Sequence, residues 1–349
     1  MDQALQAFML EQVNNNNGNG KSGLYKYLVQ AFDRTYFRLC PNRIRADHKP
    51  HTYDFSSLTR EEYLENPELF YKKPDEIPEF SLTKKSEVGS VEIFDVRFPS
   101  PVQTVHKENN IAYGYFYKNK TKKSSLSLII IHGWRRSFLY SEKKIALRLA
   151  KMNIDCFILK LPFHIERTPK GALSGEYALT GDVYRTVECT RQLVIEIRVV
   201  KSWLQRETEK IAVMGISLGG MMAHVAMSVE EFDAGVSIVG GGNNAGIIWE
   251  GIATQEVKEN IMKADITREQ VNHIFQMINP SVLARHNKTM NTLMMNGIYD
   301  EVIPTKFTVE LWEALGRPKI KWYPCAHVNI VFIMKRVVGD MIQFIRETV

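Results

Sequence analysis

The stretch KIAVMGISLGG, residues 210–220, changes character at Ser217. Before it, KIAVMGIS (210–217) is a short apolar run of the length and composition of a buried strand. After it, LGGMMAHVAMSV (218–229) reads as a helix. The serine stands at the junction with Gly215 and Gly219 on either side, in the pattern G-x-S-x-G. Glycines there let the strand and helix backbones approach each other around a tight turn, so that the hydroxyl projects outward. The Leu218 N–H would open the helix, where the first N–H groups have no intrahelical partner. Five residues occur together by chance, so the surrounding chain must decide what this corner is.

Working outward, strand and helix patterns alternate. SLSLIIIHGW (125–134), DCFILKLP (155–162), AGVSIVGGG (234–242), TLMMNGIYD (292–300) and KIKWYP (319–324) read as strands. SEKKIALRLAKM (141–152, with Ser141 as cap), a long segment from Asp182 to Glu207, and PTKFTVELWEAL (304–315) read as helices, and a closing helix follows His327. This alternation predicts a mostly parallel sheet with helices on both faces. Upstream, VEIFDVRFPS and IAYGYFYK alternate as antiparallel strands do. Residues 1–13 and 24–39 read as helices, the second with Leu24, Tyr27, Leu28, Ala31, Phe32, Thr35 and Tyr36 on one apolar stripe. Between 41 and 90, five prolines break the pattern, and a short helix near TREEYLENPELF would take Thr59 as its cap. The expected organisation is an extension over residues 1–90 wrapping a domain over 91–349.

In open parallel sheets, sites form at the carboxyl ends of the strands. Four such ends carry polar residues: His132-Gly133-Trp134, Ser217, Asp300, and the loop leading to His327. A serine hydroxyl is a poor nucleophile near neutral pH. An imidazole can take its proton in the transition state and return it to the leaving group. A carboxylate on the other ring nitrogen fixes the tautomer and stabilises the imidazolium. Glu301 competes with Asp300, and His273 and His286 compete with His327, but both of those histidines precede the Asp300 strand. His132 reads as a loop-bonding residue.

On these residues the chain resembles an α/β-hydrolase. GISLGG matches the nucleophile elbow, IIIHGW the strand and oxyanion loop, MNGIYDEVIP the strand end that supplies the acid, and CAHVN the histidine loop. They come in the order Ser, Asp, His. The resemblance spans roughly residues 90–349. It implies Ser217 as nucleophile, His327 as general base and acid, Asp300 as orienting carboxylate, and the backbone N–H groups of Leu218 and Trp134 as oxyanion donors. Where some esterases carry His-Gly-Gly-Gly, this chain has His-Gly-Trp-Arg, which fits the branch with a single glycine. The segment 243–280 falls where that superfamily often places a cap; Ile247, Ile248, Trp249 and Ile252 would line an acyl pocket or pack ordinary helices. The expected function is hydrolysis of an ester or related acyl bond of a small molecule, carboxylesterase-like and without a cofactor. A non-catalytic binding protein on the same fold, and an acyltransferase or peptidase on the same triad, are the alternatives.

The loop LPFHIERTPKGALSGEYALTGD (161–182) should overhang the site. His164, Glu166 and Arg167 in it are candidates for a polar substrate contact, or for a loop-stabilising ion pair. The remaining composition excludes more than it points to. The chain has 349 residues and a formal charge of +6, without the long basic face or reading motif of a nucleic-acid binder. Cys40, Cys156, Cys189 and Cys325 show no paired spacing, and no His/Cys/Asp cluster has metal-ligand spacing. NNNNGNGKSG (14–23) imitates a phosphate loop but has Asn15 where the motif needs glycine, and no strand precedes it. No apolar run reaches the roughly 20 residues needed to span a bilayer, and the N-terminus makes a poor signal peptide. A reducing, cytoplasmic setting is expected.

Overall fold

The computed structural model describes residues 23–39 and 55–349. The helix expected over 1–13, the phosphate-loop mimic apart from Gly23, and Cys40 lie outside the described residues. In chain order the elements are α1 (Gly23–Leu39), α2 (Glu61–Glu65), α3 (Pro67–Phe70), β1 (Ser81–Val88), β2 (Val91–Pro99), β3 (Ile111–Asn119), β4 (Leu126–Ile131), α4 (Tyr140–Ala150), β5 (Ile154–Leu159), α5 (Val183–Leu204), β6 (Lys210–Ile216) and α6 (Leu218–Val229). Then follow β7 (Ala234–Ile238), α7 (Asn244–Glu250), α8 (Gln255–Lys263), α9 (Arg268–Ile274), α10 (Pro280–Leu283), β8 (Thr292–Gly297), α11 (Thr305–Ala314), β9 (Lys319–Tyr323) and α12 (Met334–Thr348).

The strands form one sheet in the order β1-β2-β3-β5-β4-β6-β7-β8-β9. β1 to β3 are antiparallel, β3 meets β5 antiparallel, and the pairs from β5 through β9 are parallel. β1 was not anticipated: its eight residues are all exposed, so it lacks the apolar alternation that marks β2 and β3. The sheet therefore begins at Ser81, ahead of the boundary expected at residue 91.

Every residue of β4 is buried, as its unbroken Leu/Ile run requires of a strand covered on both faces. The pleat divides that run. Ile129 and Ile131 join Ile211 and Val213 of β6 in a core with α5 and α6. Leu128 and Ile130 join Ala212 and Met214 in a second core with α4 and α12. Two layers of helix thus clamp one sheet.

Three local expectations are corrected. α4 starts one residue early, at Tyr140, and Ser141 makes no capping bond. Near residue 60 there are two short helices, and the Thr59 hydroxyl donates to the Phe55 carbonyl instead of capping. Asn66 caps the second of them. The third correction concerns α1. Its apolar stripe faces outward, with Leu24 66%, Tyr27 62% and Leu28 55% exposed. The packed face is the neighbouring one, carrying Tyr25, Val29 and the fully buried Asp33. Polar groups decided the docking, because α1 sits on loops full of backbone donors and acceptors.

Candidate active site

β4 and β6 are neighbours in register, Ile131 opposite Gly215. Their carboxyl ends therefore bring Gly133 and Ser217 together. A side chain at Gly133 would lie 3.3 Å from the Ser217 Cβ. At Ser217 the backbone has φ 57° and ψ −122°, a conformation that non-glycine residues adopt only under strain of about 1–3 kcal/mol. The glycines make this corner possible. A Cβ at Gly215 would fall 2.0 Å from the Gly219 carbonyl oxygen, and one at Gly219 would fall 2.3 Å from that of Ile131. Ser217 and Leu218 are half-buried at the start of α6, where the first N–H groups have no intrahelical partner.

β8 and β9 deliver the partners. The His327 Nε2 lies 2.8 Å from the Ser217 Oγ, and its Nδ1 lies 2.7 Å from the Asp300 Oδ2. The other carboxylate oxygen of Asp300 accepts the N–H groups of Val302 and Ile303, each at 2.9 Å. The carboxylate is thus fixed from behind while it faces the ring. Glu301, the rival acid, turns away and pairs with Arg34 of α1 at 2.6 Å. His273 lies on α9, and His286 bonds the Leu64 carbonyl. Chemically, the arrangement is a hydroxyl on an imidazole whose far nitrogen is on a carboxylate, and in it the imidazole can carry the hydroxyl's proton.

The overhanging loop does not present its polar side chains to the opening. His164 is fully buried; its Nε2 accepts the Arg135 N–H at 3.0 Å, so its Nδ1 carries the proton and donates to the Pro162 carbonyl at 2.8 Å. His132 does the same in mirror fashion, accepting the Leu161 N–H at Nε2 and donating from Nδ1 to the Gly133 carbonyl. The Trp134 indole donates to the Gly175 carbonyl at 2.8 Å. Two neutral imidazoles and one indole therefore tie the Gly133–Arg135 turn to the 161–175 loop. Arg167 is also fully buried, in a two-pronged pair with Glu196 of α5, and bonds the carbonyls of Lys160 and Asn109. Glu166 pairs with Lys160. His164 and Arg167, candidates for substrate contact, are scaffolding of the loop.

Burial holds the pKa of His164 and of the equally buried His224 down at about 4, and drives that of His132 well below the ordinary value. A depressed histidine stabilises the fold fully above the unfolded value near 6.5, and that contribution is lost as pH falls towards the folded one. Between about pH 6.5 and 4 the unfolded chain binds protons the native one refuses. Asp155, raised to about 6 by burial, takes up a proton in the native chain over the same range and offsets part of this loss, so urea midpoints are expected to fall moderately from pH 7.5 to pH 4.5, with His164→Gln flattening part of the slope. An unchanged midpoint across this range would contradict the assignment of neutral rings.

A cleft runs from Ser217 into the domain. Leu161, Met221, Ile247, Ile248, Phe275 and Ile278 are among its walls, and no charged residue lines it. The segment 243–280 thus contributes walls through Ile247 and Ile248. Trp249 and Ile252, expected beside them, are not among the lining residues: both pack partly buried against the core. Among the described residues there is no group of three or more His, Cys, Asp or Glu placed to hold a metal ion, and no helix long and apolar enough to cross a membrane.

The sequence reading missed Asp33. Its Oδ2 accepts the N–H groups of His327 at 2.7 Å and Val328 at 3.0 Å, from a helix far away in the chain. The available signal was the spacing of four that puts Tyr25, Val29, Asp33 and Phe37 on one face, a register the more apolar stripe obscured.

An uncharacterized protein from Mycobacterium tuberculosis strain H37Rv is 27% identical over 234 residues, covering 63% of this chain and 50% of that protein. The chain spans about half the length of the curated relatives it first matches. Among solved structures, an acetyl xylan esterase from Paenibacillus sp. R4 superposes with a TM-score of 0.65 at 19% identity, over 87% of this chain and 98% of that one. An acylaminoacyl peptidase from Pyrococcus horikoshii does so with a TM-score of 0.56 at 14% identity, over 78% of this chain and 42% of that one. These likenesses are of fold. The family model described as Alpha/beta hydrolase domain containing 18 matches residues 59–308, leaving α1 and the His327 loop outside the matched stretch. The protein is thus an α/β-hydrolase fold protein and belongs to the family Alpha/beta hydrolase domain containing 18.

Proposed function

We propose that the protein is a serine hydrolase that cleaves an ester or related acyl bond whose acyl group is apolar. The observation that carries this reading is the hydrogen-bonded series Ser217–His327–Asp300 at the mouth of an uncharged cleft. The strained turn at Ser217 supports it, because such strain persists only where the surroundings over-determine it, and it concentrates at functional sites.

In this reading the Ser217 Oγ attacks the carbonyl carbon while its proton passes to the His327 Nε2. Asp300 stabilises the imidazolium through Nδ1. The carbonyl oxygen becomes an oxyanion held by the backbone N–H groups of Leu218 and Trp134. Collapse breaks the ester bond, and the imidazolium gives its proton to the departing alcohol. Water then attacks the acyl carbon while His327 takes its proton; as the acyl–Oγ bond breaks, the imidazolium returns that proton to the Ser217 Oγ and the acid leaves. The tethering of Trp134 to Gly175, and of the Arg135 N–H to His164, would keep the second donor from drifting. The structural neighbours are named as an acetyl xylan esterase and an acylaminoacyl peptidase, and both reactions are acyl transfers to water, which agrees with the reaction class.

The test is labelling by a fluorophosphonate probe, then turnover of p-nitrophenyl esters of increasing chain length. Labelled wild type is expected, with activity rising beyond acetate as the chain fills the cleft. Ile248→Trp, in the cleft wall, should cut turnover of the longer esters several-fold while sparing acetate. A folded wild type that never labels would sink the proposal; an unchanged chain-length profile in Ile248→Trp would sink the assignment of the acyl group to this cleft.

A further inference from the structure

We propose that α1 is a positioning strap for the catalytic loops, with Asp33 as its central positioning residue: its carboxylate fixes the loop bearing His327, and its charge favours the imidazolium formed there during the reaction. The inference rests on the reading of Ser217, His327 and Asp300 as the reacting set.

α1 touches both loops that deliver the set. On the His327 side, the Asp33 Oδ2 accepts the N–H groups of His327 and Val328. The Asn329 amide donates to the Val29 carbonyl at 2.9 Å and reaches the Asp33 Oδ1 at 3.4 Å, while its own oxygen accepts the Ala326 N–H at 2.7 Å. The Tyr25 hydroxyl donates to the Pro324 carbonyl at 2.8 Å. On the Asp300 side, Arg34 makes a two-pronged pair with Glu301 at 2.8 and 2.6 Å, and the Gln30 amide reaches the Tyr299 carbonyl at 3.4 Å. Thus residues on both sides of Asp300 and His327 are held by one helix.

A helix that merely covered apolar surface would dock by its apolar stripe. α1 buries a carboxylate instead and leaves that stripe exposed. Burying a carboxylate is costly unless it is compensated, and the compensation here comes from the His327 loop itself. The ionisable groups that act on Asp33 are His327, Asp300 and the Cys325 thiol, with the Arg34–Glu301 pair on the flank of the helix. Burial raises Asp33 above the ordinary carboxylate range; the Val328 N–H and the charge of His327 oppose that rise. Attraction between two charges is mutual, so the carboxylate favours a protonated His327 as much as that ring favours the carboxylate.

The experiment uses the full chain and the best p-nitrophenyl ester. Asp33→Asn keeps the acceptor for the two backbone N–H groups and removes the charge. Its kcat is expected to fall about tenfold with KM unchanged, and the acidic limb of its pH–rate profile to move to lower pH by about half a unit or more, since less imidazolium is stabilised. An acidic limb superimposable on that of the wild type would overturn the electrostatic role. Should Asp33→Asn fail to fold, Arg34→Ala decides for the strap, because the pair it breaks is exposed. A kcat reduced two- to five-fold at unchanged KM and melting temperature supports the strap; a wild-type kcat overturns it. Failure of the wild type itself to label or turn over would instead be the failure of the proposed function.

Discussion

Ser217→Ala is expected to lower turnover by about 10⁶-fold and to abolish fluorophosphonate labelling, while leaving the melting temperature at or above that of the wild type. The magnitude follows from other Ser-His-Asp enzymes, where removing the nucleophile costs about this much. The members of such a set act as a unit, so His327→Ala should cost about the same, and the double variant little more. Asp300→Asn is expected to fall by about 10⁴-fold, because the amide presents the wrong group to Nδ1 and disfavours the working tautomer. On the proposed mechanism, what remains in each variant would report the backbone donors assigned to Leu218 and Trp134. Stability should not suffer at Ser217, since its hydroxyl caps nothing and a smaller side chain suits the strained corner equally. Variants with wild-type turnover would place the chemistry elsewhere in the molecule.

Glu196→Ala is expected to destabilise the protein by about 3–5 kcal/mol, since it leaves the Arg167 guanidinium in the interior without its counter-ion. For a domain of this size that corresponds to a fall of roughly 5–8 °C in melting temperature. Arg167 and Glu196 are both fully buried, and they anchor a wider network. Ser100 donates to Glu196, Gln192 bonds Ser100 and Asn109, and the Asn109 oxygen accepts the Phe163 N–H. The next residue after Phe163 is His164, which holds the Arg135 N–H. Loosening the ion pair should therefore also lower kcat at temperatures where the variant is still folded. The double variant Arg167→Met/Glu196→Met is expected to be more stable than either single alanine variant, because it removes both charges and keeps volume. Calorimetric scans of the three variants check this; a double variant less stable than both single ones would contradict it.

Most of the sheet was legible because its strands carry their own signal. β4, β5, β6, β7 and β8 are largely apolar runs bounded by polar turns, buried along their whole length apart from Lys210 at the start of β6. The elbow and the residues that meet it at Asp300 and His327 were legible too, because strand ends converge wherever a parallel sheet is built. What was illegible is what depends on contacts between distant segments. Nothing local distinguishes an Arg167 that binds substrate from one that meets Glu196 inside the protein. His164 looked like a site residue for the same reason: a polar ring beside a catalytic loop serves chemistry and scaffolding equally well on paper. Asp33 was hidden because the hydrophobic stripe of α1 argued for the wrong face, and β1 because an edge strand exposed at every position has no alternation to read.

That edge strand has a consequence for how the molecule behaves in a crowd. A sheet of nine strands ends in a row of open backbone donors and acceptors, which is a template for a tenth strand from another copy. β1 spoils the template. Its register slips between Lys84 and Ser86, so the outer backbone is kinked where a newcomer would have to run straight. Lys84 and Lys85 stand at the kink, paired with Glu92 and Asp95 of the strand behind. An incoming chain would have to align with a bent, charged border. The β1 edge is thereby shielded from strand addition by another copy, and straightening β1 with an apolar residue at position 84 or 85 is expected to open that edge to pairing.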